Sequence, residues 1–242
     1  MLPKSILNII IVVLSCTALS LSAVAQQEAP IKPTYNGWSS HNLKGAVKEM
    51  TSTSYAIDPR TGKINLKHEE GLTQRFVFDS SGTELKYELY NQQHRLEVVS
   101  EPQYAQGKIV STTTQVFYPA AYTEHWIVKE HALDFYPAVA EYYEDNTLKK
   151  KVVNTLDAQG HLTHMQLFNT EGKLVFEKTV DYDQQGNMTK TREQLQFPGT
   201  TETTMEITYQ YLKSDAQGNW TERLDNTNGR KTITKREIVY YQ

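Results

Sequence analysis

The sequence predicts an all-β fold, an elongated and twisted antiparallel meander of repeated hairpins that either stays open or curls into a partial barrel or shell. Three observations predict it. A turn motif of Asp or Asn, two polar residues and Gly recurs along the chain. Apolar and polar residues alternate with period two after most copies. The copies follow one another at strand-hairpin spacing, with Gly160 to Gly172 spanning 12 residues and Gly172 to Gly186 spanning 14.

The motif reads Asp79-Ser-Ser-Gly82, Asp157-Ala-Gln-Gly160, Asn169-Thr-Glu-Gly172, Asp183-Gln-Gln-Gly186 and Asp215-Ala-Gln-Gly218. An Asp or Asn at the first turn position accepts a backbone N–H two residues on, and Gly takes the positive φ that returns the chain to a strand. These ten positions are therefore structural turn residues. Weaker copies stand at Asn91 to His94, at Gln106-Gly107, at Asp145-Asn146 and at Asp58 to Gly62, and Phe197-Pro198-Gly199 breaks the long interval before Asp215. A single hairpin cannot bury its own apolar face, so the units must share one sheet. About ten strands are expected.

The strand faces follow from the alternation. Leu85, Tyr87 and Leu89 share one face, as do Leu174, Phe176, Val180 and Tyr182, with Glu177, Thr179 and Asp181 opposite. Met205, Ile207, Tyr209 and Tyr211 form a third apolar face. Between Gly107 and Asp145 the turns lapse and aromatics gather. Leu133, Tyr136, Val139 and Tyr143 there fit one side of a short helix, against which Pro137 argues, and a helix or loop at this point would cap a sheet edge.

Residues 1–25 read as an export leader, with Lys4, the apolar run Ile6 to Leu14, and Ala23-Val24-Ala25 before Gln26. Residues 26–42, with Pro30 and Pro33, read as a polar linker, and 43–242 as the β-repeat domain. The leader places the chain in the periplasm, at the outer membrane or outside the cell, with no transmembrane span left after cleavage. Cys16 is the sole cysteine, within a loose lipoprotein-type sequence. Cleavage at Ala25 leaves no thiol for a disulfide, a nucleophile or a metal. The formal charge is −3, or −4 once Lys4 leaves with the leader, which argues against nucleic acid.

No convergent catalytic or cofactor set is legible, so no catalytic, metal or cofactor residue is assigned. His161 and His164, three apart on a strand, point to opposite faces and read as exposed. His125 and His131, near Glu124 and Trp126, are the one pair with a metal-like register. Asp181 and Asp183 read as polar-face and turn residues, and Trp220 as core. Glu69-Glu70 and Lys149 to Lys151 read as solvated strand ends.

At Val180-Asp-Tyr182-Asp183-Gln-Gln-Gly186-Asn-Met-Thr189 the chain resembles the RHS/YD-repeat family, in particular its short secreted members from Gram-negative envelopes. Asp215-Ala-Gln-Gly218-Asn-Trp-Thr-Glu-Arg223, and Leu43-Lys-Gly45-Ala-Val47 at the start, extend the resemblance over residues 43–242. The resemblance implies a β shell, and the leader together with the array of turns lacking a convergent nucleophile, acid pair or metal set points to an exported, non-enzymatic binding or scaffold role toward a glycan or a protein. Two alternatives stand beside it, an accessory or immunity-type partner of a larger RHS system and an envelope-polymer hydrolase.

Overall fold

The computed structural model describes residues 36–64, 72–118, 121–133, 136–144, 147–196 and 203–242. The leader with Cys16, Glu69-Glu70, the Asp145-Asn146 turn and the Phe197 to Gly199 break lie outside the described residues. A short helix, α1 (Gly37–Ser40), precedes fourteen strands. These are β1 (Val47–Ala56), β2 (Thr73–Phe78), β3 (Glu84–Tyr90), β4 (Leu96–Ala105), β5 (Lys108–Val116), β6 (Tyr122–Leu133) and β7 (Tyr136–Glu144), followed by β8 (Thr147–Leu156), β9 (Leu162–Asn169), β10 (Leu174–Tyr182), β11 (Met188–Leu195), β12 (Thr203–Ser214), β13 (Trp220–Thr227) and β14 (Arg230–Tyr240). Each pairs antiparallel with the next, and β14 returns to β1, so the meander is a closed barrel.

Closure is complete rather than partial, and the strands exceed ten because the aromatic stretch is itself a hairpin. Leu133, Tyr136, Val139 and Tyr143 lie on β6 and β7, not on a helix. Pro137 is accommodated where the β6–β7 register shifts three times, so that no regular ladder needs its missing N–H. With β1 and β14 joined, no edge needs a cap.

The five motif copies fold alike. In the first, Gly82 N–H donates to the Asp79 carbonyl at 3.0 Å and Asp79 N–H to the Thr83 carbonyl at 2.9 Å. Asp79 Oδ1 accepts the N–H groups of Ser81 and Thr83 at 2.8 and 2.9 Å. The motif glycines hold φ between 73° and 90°, and His94 takes their place in the weak copy at φ 54°. Three residues after each Gly the ladder bulges, leaving Leu85, Thr163, Val175, Thr189 and Thr221 without a partner opposite. Thr163 and Thr189 use the bulge to donate their hydroxyls to Thr155 and Asp181 carbonyls. A tyrosine from the next hairpin then donates to the carbonyl just before the bulge. Tyr104 reaches Glu84, Tyr182 reaches Leu162 and Tyr211 reaches Met188, at 2.9–3.0 Å.

The bulge also corrects one expected face. Tyr87 and Leu89 are buried inside, but Leu85, on the bulge, is 46% exposed. The inner faces otherwise carry the core: Met50, Phe76, Phe78, Tyr87, Leu162, Met165, Leu167 and Phe176. They also carry ion pairs, Lys178–Glu193 at 3.1 Å and Lys150–Glu124 at 2.5 Å. Fourteen strands enclose more width than short apolar side chains fill, and long charged ones span it when each charge is matched. The outer faces carry ion pairs beside exposed apolar residues such as Leu85 and Val239. Arg75 bridges Glu49 and Glu88 across β1, β2 and β3, His164 meets Glu177, and Lys190 meets Glu206.

Residues 36–45 form a strap over one end of the barrel, so the stretch expected to be linker is packed structure from Asn36 onward. Asn36 caps α1 and donates Nδ2 to the Ser81 carbonyl in the first motif turn. Asn42 reaches Asn187 at 2.8 Å, and Lys44 exchanges two backbone hydrogen bonds with the Asn219 side chain at 2.7 and 2.9 Å. His41 and Leu43 are buried. A polar composition conceals this packing because the strap is held by asparagine side chains of the turns rather than by an apolar stripe.

Candidate functional site

In an antiparallel meander, successive connections alternate between the two ends. The turns at Asp79–Gly82, Asp157–Gly160, Asp183–Gly186 and Asp215–Gly218 therefore gather at the strapped end, and Asn169–Gly172 lies at the other. Asp215 shows what these side chains do. Burial works to raise its pKa, but the Tyr240 hydroxyl and the N–H groups of Asn219 and Gln217 outweigh it and hold the carboxyl below the usual Asp value. Its partner Tyr240 is pushed up to about 12 by burial and by that hydrogen bond. The motif residues thus build turns and anchor the strap.

Beneath the strap lies a cavity of about 100 Å³ inside the barrel, walled by α1 and the inner faces of β3 to β9. Its surface is mainly apolar, from Pro102, Trp126, Val128, Ala140, Val152 and Met165. Two of the residues that line it each carry a buried polar atom with no hydrogen-bond partner among the described residues, Nδ1 of His41 and Oδ1 of Asn154. His41 is 3% exposed and Asn154 6%.

Each is held by its other polar atom. His41 Nε2 lies 3.0 Å from Glu84 Oε2, and the ring packs on Phe76 with centroids 4.1 Å apart. In the tautomer that carries its proton on Nε2, facing the carboxylate, Nδ1 is an acceptor. Asn154 Nδ2 donates to the Pro137 carbonyl at 2.9 Å, which orients Oδ1 as a bare acceptor. Ser100 and Thr114 add hydroxyls to the wall and bond each other at 3.0 Å. The site offers an apolar chamber and acceptors lacking a donor, and a buried acceptor left unmet costs about 1–3 kcal/mol.

Sequence reasoning misses all three site residues, although one leaves a signal. Two places after the motif Gly stand Leu162, Leu174, Met188 and Trp220, but the first copy has Glu84. That position points inward, so its one carboxylate marks the site. Of the residues singled out from sequence, Trp126, Tyr136 and Pro137 lie on the cavity wall. Trp126 is buried, and its Nε1 donates to Glu124 at 3.0 Å. His125 faces outward to Thr113, and His131 meets the Ile109 carbonyl, so the structure does not bring that pair together. His161 is buried rather than exposed, because it reaches back to Asp157 at 2.8 Å and stacks on Tyr182. Trp220 is buried as expected, and Trp38 donates its indole N–H to the Val47 carbonyl. Among the described residues, no three His, Cys, Asp or Glu side chains lie together as a metal set.

No family model and no curated protein matches this chain. Among solved structures it is similar to a porin-like protein from Bacteroides uniformis, with 11% identity and a TM-score of 0.47, over 81% of this chain and 99% of that one. It is also similar to the Photorhabdus luminescens Tc holotoxin pore and to TcdB2-TccC3, each 14% identical with a TM-score of 0.28, over 76% of this chain and 11% of the other.

Proposed function

We propose that this protein is an exported, non-enzymatic RHS/YD-like repeat protein that stands in water and binds a small ligand inside its barrel. The ligand class follows from the cavity: a mostly apolar molecule of about phenol size carrying one O–H or N–H donor. The observation that carries this reading is that two residues lining the apolar cavity, His41 and Asn154, each keep a buried polar atom, Nδ1 and Oδ1, without a hydrogen-bond partner among the described residues. A cavity of similar size lined only by aliphatic and aromatic groups stays dry and takes benzene, so a donor-bearing ring suits this wall better. The ion pairs on the outer face support the water-facing part. A membrane-spanning barrel turns an apolar band outward, whereas Arg75, Glu49, Glu88, Lys190 and Glu206 face outward here. In this reading the ligand lies within the barrel, not on a surface platform for glycans, since Trp126 and Trp220 are both buried.

Ligand-observed ¹⁹F NMR with 4-fluorophenol, and fluorobenzene as the donor-less control, tests the reading. Saturable binding of 4-fluorophenol, weaker for fluorobenzene and reduced at least tenfold in Asn154→Leu, is the expected result. Equal binding of both probes, or of neither, would contradict it. The hydrolase alternative draws on the same His41–Glu84 pair, since a carboxylate-held imidazole is a general-base arrangement. The nearby Ser100 hydroxyl is bonded to Thr114, and turnover of 4-fluorophenyl acetate that is lost in His41→Phe would favour that alternative.

A further inference from the structure

The other half of the barrel interior holds a second feature, which meets the cavity site at His41. Arg223 and Arg236 extend inward from β13 and β14 onto a cluster of aromatic rings. The Arg236 guanidinium carbon lies 3.5 Å from the Trp220 ring centroid, and that of Arg223 lies 4.7 Å from the same ring and 4.4 Å from Tyr209. Two cations therefore share one tryptophan.

Among the described residues, only one of them has a counter-charge. Arg223 makes a bidentate pair with Asp225, Nε to Oδ1 at 2.6 Å and Nη2 to Oδ2 at 3.0 Å. Thr234 donates to the same Oδ2 at 2.8 Å, so the carboxylate is fully engaged. Arg236 forms no ion pair with a carboxylate among the described residues. Its one hydrogen bond there is a long one from Nη1 to the His41 carbonyl, 3.5 Å, and its Nε is buried with no partner. The cluster carries two positive charges and one negative.

An unmatched buried charge is costly, and the local field shows it. Burial, reinforced by the charge of Arg223, pulls the Arg236 pKa down to about 9, while Arg223 beside Asp225 is shifted up. Cation–π contact with Trp220 offsets part of this but provides no acceptor for Nε–H. The Nε/Nη2 edge of a guanidinium is a planar fork matched to two oxygens of a carboxylate or phosphate. The inner residues of β12, Met205, Ile207, Tyr209 and Tyr211, are only half-buried, whereas their counterparts Leu162, Met165, Leu167 and Phe176 on β9 and β10 are at most 2% exposed.

We infer that the Nε/Nη2 edge of Arg236, flanked by Trp220 and Arg223, is a binding site for a small oxyanion inside the barrel. The anion supplies the negative charge that Asp225 cannot share and accepts the orphaned N–H. Trp220 fixes the plane of the fork and Arg223 adds long-range attraction.

Thermal unfolding of the mature chain tests this, with inorganic phosphate and acetate each titrated at constant ionic strength set by sodium chloride. The expected result is a saturable rise in Tm with at least one of the two, about 5–10 °C at a hundredfold excess over its dissociation constant. Arg236→Met is expected to lose that response while unfolding, without anion, at or above the wild-type temperature, because the unmatched charge is gone. Arg236→Lys keeps the charge but loses the fork, and is expected to bind at least tenfold more weakly. Preference for phosphate or for acetate identifies the anion class. A wild-type protein indifferent to both, or an Arg236→Met protein that responds as wild type does, would overturn the inference.

Discussion

Glu84 and His41, 43 residues apart, meet at 3.0 Å under the strap, and the carboxylate stands where the other motif copies place Leu, Leu, Met and Trp. The pair joins the turn at Gly82 to the strap and fixes the imidazole beside the cavity. Removing one partner leaves a buried nitrogen or carboxylate unmet, so Glu84→Leu and His41→Phe should each destabilise by about 1–3 kcal/mol. The double variant replaces both groups by apolar ones and should fall short of the summed losses by at least about 1 kcal/mol. Urea unfolding of the four proteins measures the coupling, and strict additivity would show that the pair contributes nothing.

The glycine turns make a graded prediction. At Gly172, a methyl group would meet nothing within 4 Å, so Gly172→Ala registers backbone strain alone, about 1–2 kcal/mol at φ 73°. At Gly82, an added Cβ would lie 2.6 Å from the Trp38 ring, and α1 would have to move. Gly82→Ala should therefore cost more than Gly172→Ala and also expose the strap to proteolysis. His94 occupies the same conformation without being glycine, and His94→Gly should stabilise by about 0.5–1 kcal/mol. Chemical denaturation ranks the three.

Lys178 and Glu193 face each other inside the barrel at 3.1 Å, with side chains 5% and 2% exposed. Lys178→Met strands the Glu193 charge and should cost about 3–5 kcal/mol, whereas Lys178→Met with Glu193→Leu should recover most of the loss. If the single and double variants unfold at the same denaturant concentration, the pair is not buried as described.

Acid stability follows from four carboxylates held below their ordinary values. Glu49 is lowered by hydrogen bonding from Arg75. Glu88, Asp79 and Asp215 are lowered by their donors despite burial, which works in the opposite direction. A depressed folded-state pKa contributes stability that is present above the unfolded value and lost as pH falls through the folded one. Stability should hold level down to the unfolded values, 4.5 for Glu and 3.8 for Asp, and decline below them. Arg75→Met should flatten that decline, as read from unfolding midpoints across the acid range.

Much of the fold is legible because local rules act in the same direction. Asp or Asn and Gly fix each reversal, and alternation fixes most faces, since both depend on neighbours in sequence. Closure is not legible, because the β1–β14 ladder joins residues far apart in sequence, such as Thr51 and Glu237, and rests on backbone pairing that no residue pattern marks. The strap is missed because its anchors, Asn187 and Asn219, read as ordinary turn residues. The interior carries a clearer lesson. Lys178 lies between inward Phe176 and Val180, and Arg223 and Arg236 hold inward registers on their strands. A charge on an apolar face is the readable mark of an internal pair or site, as Glu84 is in the repeat.

Disulfide trapping across the seam tests the central claim, a closed barrel with an interior. Thr51 and Glu237 are direct partners in the β1–β14 ladder, and antiparallel partners lie within the reach of a disulfide. The Thr51→Cys, Glu237→Cys double variant of residues 26–242 should form an intramolecular disulfide under mild oxidation, seen as faster migration on a non-reducing gel, with the fold and its unfolding transition retained. A folded double variant whose two thiols stay free would mean that the first and last strands do not meet, and the enclosed sites would go with the seam.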